Sequence, residues 1–192
     1  MQPLGNGASG VYLSASAGDS EVSQNFIGFN HHFGIGVATD ARNVSIRGNS
    51  LQGNLQQGID WGLDGTVATT PVPLPEITSA RYENGRTIIE GTFAAVGSWA
   101  SLITVYANDA PDPSGYGEGQ YVLGEVSANF PYGDPRRFTM VWPGDLRGKW
   151  VTATATRFVY NGFLRNAGPS IDAANGGVMT TTSEFSRVYE VK

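Results

Sequence analysis

The chain contains no cysteine. Disulfide scaffolds, thiolate metal centres and cysteine nucleophiles are thereby excluded. Its only two histidines are neighbours, His31 and His32. On an extended chain adjacent side chains point to opposite faces, so the pair reads as two exposed corner residues rather than a metal site. No H-x-x-x-H spacing, Ser-His-Asp set or Gly-rich phosphate cradle is visible. Charged residues are scarce, at 15%, where about 25% is usual. The net charge is −5 and the basic residues are dispersed, so nucleic acid is not an expected partner. No apolar run approaches the roughly 18 residues of a membrane span, so no membrane insertion is expected. The start, Met1-Gln2-Pro3-Leu4, lacks the basic and apolar regions of a signal peptide. Either a leader was removed or none was used. Gly, Ser, Thr and Asn fill the space, as in turn-rich all-β chains of the kind found outside cells.

What the sequence does have is a period. Residues 10–65 match themselves without a gap at an offset of 24. Asn6, Asn30 and Asn54 fall in one column. So do Gly10, Gly34 and Gly58; Val11, Ile35 and Ile59; and Leu13, Val37 and Trp61. Val22 aligns with Ile46, Asn25 with Asn49, Ile27 with Leu51, and Asp40 with Asp64. Short alternating apolar pieces between Gly and Asn corners predict the stacked rungs of a short right-handed parallel β-helix over residues 1–65. The glycine column is expected to turn corners with φ > 0. The Asn columns are expected to form amide ladders. Trp61 should plug the last rung. About two and a half rungs are present, fewer than the roughly three needed for stability. The N-terminal rung is therefore expected to be covered by preceding chain, a partner or copies of itself.

Residues 66–76 read as a linker, because Pro71, Pro73 and Pro75 hold the chain extended. From residue 77 the period changes. Strands are expected over 77–82, 87–96, 102–107, 121–128, 137–142, 150–158 and 184–191, with Asn84-Gly85 as a two-residue hairpin turn. Seven strands predict an immunoglobulin- or fibronectin-like β-sandwich over 77–192. Thr152, Thr154 and Thr156 alternate cleanly and suit an exposed face. Residues 160–182 read as a long loop, a frequent seat of function.

Four motifs occur in order: Gly58-Ile-Asp-Trp-Gly-Leu-Asp-Gly65, Asp112-Pro-Ser-Gly-Tyr-Gly-Glu-Gly-Gln120, Val151-Thr-Ala-Thr-Ala-Thr156 and Ser183-Glu-Phe-Ser186. Together they resemble the C-terminal region of large secreted bacterial proteins with right-handed parallel β-helix repeats and a following immunoglobulin-like β-sandwich. The resemblance implies that fold and an extracellular or cell-surface setting, with no assigned activity. This chain departs from it in having few rungs and a long segment before Ser183.

Several residues invite a chemical role. Asp40, Asp60 and Asp64 are the rung carboxylates. Asp40 and Asp64 would stand about 4.8 Å apart if stacked, near the roughly 5–10 Å of glycosidase pairs. Like charges so close repel, and no basic residue stands beside them for a lyase, so they read as turn caps. No catalytic residue is assigned. Asp109, Asp112 and Glu118, in an acidic Gly-rich loop, offer oxygen ligands suited to Ca²⁺; turn chemistry explains the same loop without metal. Trp99, Tyr116, Tyr132, Tyr160 and Phe163 fall in predicted loops, where aromatic rings stack on sugars or anchor protein interfaces. Trp142 and Trp150 are expected in the core. The expected role is a non-enzymatic extracellular or cell-surface adhesion or structural module, binding polysaccharide or another protein surface. A virion or surface-layer decoration protein, assembling as an oligomer through its N-terminal rung, is the alternative. A polysaccharide lyase or glycosidase fragment is the third reading.

Overall fold

The computed structural model describes residues 5–65, 70–94, 100–128, 136–160 and 178–192. All its regular elements are strands. The repeat region holds β1 (Val11–Leu13), β2 (Gly18–Ser23), β3 (Phe26–Gly28), β4 (Ile35–Val37), β5 (Arg42–Arg47), β6 (Ser50–Gln52) and β7 (Ile59–Trp61). They pair in three parallel sheets, β1-β4-β7, β2-β5 and β3-β6. The register is the sequence period itself: Val11 pairs with Ile35 and Ile35 with Ile59, Val22 with Ile46, and Ile27 with Leu51. Alternation turns every second residue inward, and Ile35, Val37, Val44, Leu51 and Trp61 fill the interior.

The amide ladders form as expected. The Asn6 N–H donates to Asn30 Oδ1 at 3.1 Å, and the Asn30 N–H to Asn54 Oδ1 at 3.1 Å. Asn25 reaches Asn49 Oδ1 through both its backbone and its side-chain nitrogen. The glycine column differs from expectation. Gly10, Gly34 and Gly58 are not in the positive-φ region; space is what requires them. A Cβ on Gly10 would lie 2.5 Å from Ile27 and 2.7 Å from Asn30, and one on Gly34 2.6 Å from Leu51 and 3.0 Å from Asn54. The corner is too close to the inward stack to admit a side chain.

The second region holds β8 (Pro75–Glu83), β9 (Arg86–Phe93), β10 (Ala100–Asn108), β11 (Tyr121–Ser127), β12 (Arg136–Trp142), β13 (Trp150–Tyr160), β14 (Val178–Thr182) and β15 (Tyr189–Glu190). Two antiparallel sheets result: β12-β9-β8, and β11-β10-β13-β14 with β15 also on β13. Asn84 and Gly85 both have positive φ, 51° and 82°, which matches a tight hairpin between β8 and β9. Ile77, Ile89, Phe93, Ile103, Val105, Phe138, Val151 and Ala153 share the core between the sheets. Trp142 and Trp150 are only half-buried.

Three sequence expectations are corrected here. First, β14 occupies the end of the predicted 160–182 loop; its polar Thr-rich run concealed a strand. Second, 184–191 is mostly not a strand. Ser183 and Ser186 each pair with β13 through backbone N–H and side-chain oxygen, Ser183 with Ala155 and Ser186 with Ala153. Three residues on this segment span two on β13, so Glu184 and Phe185 are thrown together toward the rungs. Third, Thr152, Thr154 and Thr156 are buried, each at 0% exposure. Their face of the sheet lies against the last rung, so the sheet is covered on both sides.

Candidate functional site

A parallel stack leaves a row of unpaired backbone groups at its final rung, an edge that would accept another strand. Here side chains and carbonyls of the second region meet that row. The Ile46 N–H donates to Thr182 Oγ1 at 2.9 Å. The Leu51 N–H donates to the Gly119 carbonyl, and Ser50 Oγ to that of Gln120. The Trp61 N–H donates to Glu184 Oε1 at 2.8 Å, and its indole N–H to the Thr182 carbonyl. Asn54, the last of its ladder, donates from N to Glu118 Oε1 at 3.1 Å and from Nδ2 at 2.6 Å. Each contact stands where a next rung would have been. A Cβ on Gly58 would meet Phe185 and Glu118, as one on Gly34 meets Leu51 and Asn54. Glu118 thus continues the Asn column and Phe185 the inward apolar column. Phe185 also meets Tyr106 edge-on at 5.1 Å.

These capping carboxyls are perturbed. Burial pushes Glu118 up to about 7, against the Asn54 donors that favour its ionised form. Burial pushes Glu184 up to about 8 and Asp60 to about 6. Glu118 holds Asn54 with both oxygens, so it presents no free proton donor to a substrate.

Beside this junction lies a surface cleft of about 560 Å³, between the 51–55 corner and the 108–120 segment. Phe29, Gln52, Leu55, Pro111, Asp112 and Gln120 line it, with Glu118 as its buried carboxylate. Phe29 lies across Gly53, whose Cβ position is 2.8 Å from the ring. Phe26, 63% exposed, stands 6.4 Å from Phe29, centroid to centroid. The cleft combines one aromatic face with planar amides and carboxylates.

Asp109, Asp112 and Glu118 all border this cleft, and each has another partner. Lys149 binds Asp109 at 2.6 Å and holds its carboxyl below the usual range, aided by Gln120 and Tyr121. Asp112 Oδ1 caps the Ser114 N–H. Tyr116 lies elsewhere: its hydroxyl accepts from Arg187, whose guanidinium stacks over the ring. Tyr160 ends β13. Trp99, Tyr132 and Phe163 lie outside the described residues. His31 and His32 are exposed. Asp40 and Asp64 are exposed too, beyond the paired register, which runs to Val37 and Trp61. Asp60 is instead fully buried, its Oδ2 taking the Gly65 N–H. Among the described residues no three His, Cys, Asp or Glu side chains group to hold a metal ion.

Phe26, Phe29, Gln52 and Gln120 were not singled out from the sequence. One signal was present for Phe26. Ile27 faces inward in its column, so its neighbour Phe26 must face out, where a large apolar ring lacks a packing reason. No protein-family model and no curated protein matches this chain.

Proposed function

We propose that this chain is a non-enzymatic adhesion or structural module of the cell surface or extracellular space, and that it binds polysaccharide in the cleft beside Phe29. In this reading the parallel sheets are the end of a right-handed β-helix of the secreted bacterial type, and the antiparallel sheets are its immunoglobulin-like sandwich. The observation that carries the proposal is the Phe29 ring, with the exposed Phe26 beside it, on a cleft that Gln52, Asp112 and Gln120 also line. Sugar rings stack on aromatic faces through their C–H edges, while planar polar side chains fix their hydroxyls. The carboxyls nearby serve as structural caps and ion-pair partners, which favours binding over hydrolysis.

A glycan array followed by calorimetry tests it. Phe26→Ala should weaken binding of the recognised glycan about tenfold, the loss of roughly 1.4 kcal/mol, with no change in folding. No glycan signal on the array, or binding indifferent to Phe26→Ala and Asp112→Asn, would sink the proposal. One observation favours the assembly reading instead. The β1, β2 and β3 edges pair on one side only among the described residues. A concentration-dependent oligomer without glycan binding would support a virion or surface-layer role.

A further inference from the structure

The last rung holds a second group of oxygens that capping does not explain. Glu184 uses Oε1 to accept the Trp61 N–H. Its Oε2 is buried and has no hydrogen-bond partner among the described residues, in a residue 1% exposed. Asp60, the neighbour of Trp61, is 0% exposed; its Oδ2 takes the Gly65 N–H, the Leu63 and Asp64 N–H groups also face its carboxyl, and its Oδ1 has no hydrogen-bond partner among the described residues. The two carboxyls lie within electrostatic reach of each other, and Asp64 adds a further negative charge.

A third such oxygen belongs to Gln57. Its Oε1 is likewise buried without a partner among the described residues. The repeat register places it beside Asp60. One rung earlier, a Cβ on Gly36 would lie 3.4 Å from the Phe33 ring, so these two columns adjoin. Gly36 pairs with Asp60, and Phe33 stands 24 residues before Gln57.

We propose that Asp60 Oδ1, Glu184 Oε2 and Gln57 Oε1 are the protein ligands of a divalent cation of the Ca²⁺ class, bound where the last rung meets the sandwich. Two carboxylates and an amide oxygen are hard ligands, and backbone carbonyls and water supply the rest of a coordination shell of about 6–8 oxygens. Leaving buried carboxylate oxygens unpaired is costly, and adjacent like charges raise that cost. A cleft of about 660 Å³ opens Gln57 to solvent, lined also by Leu63, Asp64 and Gly65 and by Asp112, Pro113 and Ser114. The site joins the 57–60 segment to residue 184, so the cation would clamp the sandwich to the rungs. Its ligands are not those of the Asp109–Glu118 loop, and it does not depend on glycan binding.

The test uses the whole chain, stripped with chelator and titrated with Ca²⁺ and, separately, with Tb³⁺ under tryptophan excitation. Ca²⁺ should raise the melting temperature in proportion to the logarithm of its concentration. Tb³⁺ emission should be sensitised by Trp61 and largely lost in Trp61→Phe, which should still bind Ca²⁺ by calorimetry. Asp60→Asn and Glu184→Gln should each weaken Ca²⁺ binding at least tenfold, whereas Asp145→Asn should not. A stripped protein whose melting temperature ignores millimolar Ca²⁺ overturns the proposal. Binding that persists in the Asp60→Asn/Glu184→Gln double variant overturns it equally, by placing the cation elsewhere.

Discussion

The β11-β10-β13-β14 sheet has two buried faces that solve different problems. Toward β12-β9-β8 it presents Ile103, Val105, Val151, Ala153 and Ala155. Toward the rungs it presents Thr104, Tyr106, Asn108, Thr152, Thr154 and Thr156. Both faces are equally shielded from water. The first meets a sheet whose backbone is already paired, so apolar area is enough. The second meets a strand edge with unpaired N–H groups, so oxygens must be delivered to defined places. Burial and hydrophobicity therefore part company within single strands.

The largest expected effects come from removing an aromatic anchor at each face. Phe185→Ala and Phe138→Ala should each cost about 3–5 kcal/mol in chemical denaturation. Amide exchange separates them: Phe185→Ala should expose β5–β7 first, and Phe138→Ala should expose β9 and β12 first. Equal exposure of both regions in both variants would mean that the two interfaces form one cooperative unit.

Glu118→Ala comes next. It strands the Asn54 N–H and side-chain amide in a buried place, at about 1–3 kcal/mol. Glu118→Gln should cost less, because an amide oxygen still accepts from Asn54. If both variants match the parent in denaturant, Glu118 is not a cap.

The pH dependence sharpens the contrast further, since among the described residues the buried carboxyls, Asp60, Glu118 and Glu184, all lie on the rung side. Glu118 and Glu184 titrate in the folded state at about 7 and about 8, against 4.5 for the free group. The folded protein thus holds more protons than the unfolded chain between those values. Their contribution is complete below pH 4.5 and is lost as pH rises through about 7 to 8. In chelator, the melting temperature should fall over that interval, and Glu184→Gln should flatten the fall. A melting temperature that rises from pH 5 to 8 would contradict the assignment.

The smallest effect is expected at the rim. Arg47 and Glu125 join rung to sandwich at 2.6 Å, but both are about a third exposed. Arg47→Ala should cost only about 0.2–1 kcal/mol, and less in high salt.

Much of the rung geometry is legible in the sequence, since a gapless period forces the same register on every strand. The hairpin at Asn84-Gly85 is legible for a similar reason: two neighbouring residues carry the turn. The site is not. The Thr-rich strand reads as solvent-facing because alternation reports two faces without saying what covers either. Glu118 and Glu184 look like ordinary loop and strand acids. Asp60 looks like one carboxylate of three, although it alone is buried.

The sequence by itself determined the 24-residue register, the inward columns and the amide ladders, because each is an interaction between identical local environments. Only the tertiary structure decided how the stack ends. Asn54 and Glu118 are 64 residues apart, Trp61 and Glu184 are 123 apart, and Ile46 and Thr182 are 136 apart. No periodicity links such partners. They are chosen by which oxygens the folded sandwich can bring to an edge that would otherwise remain open.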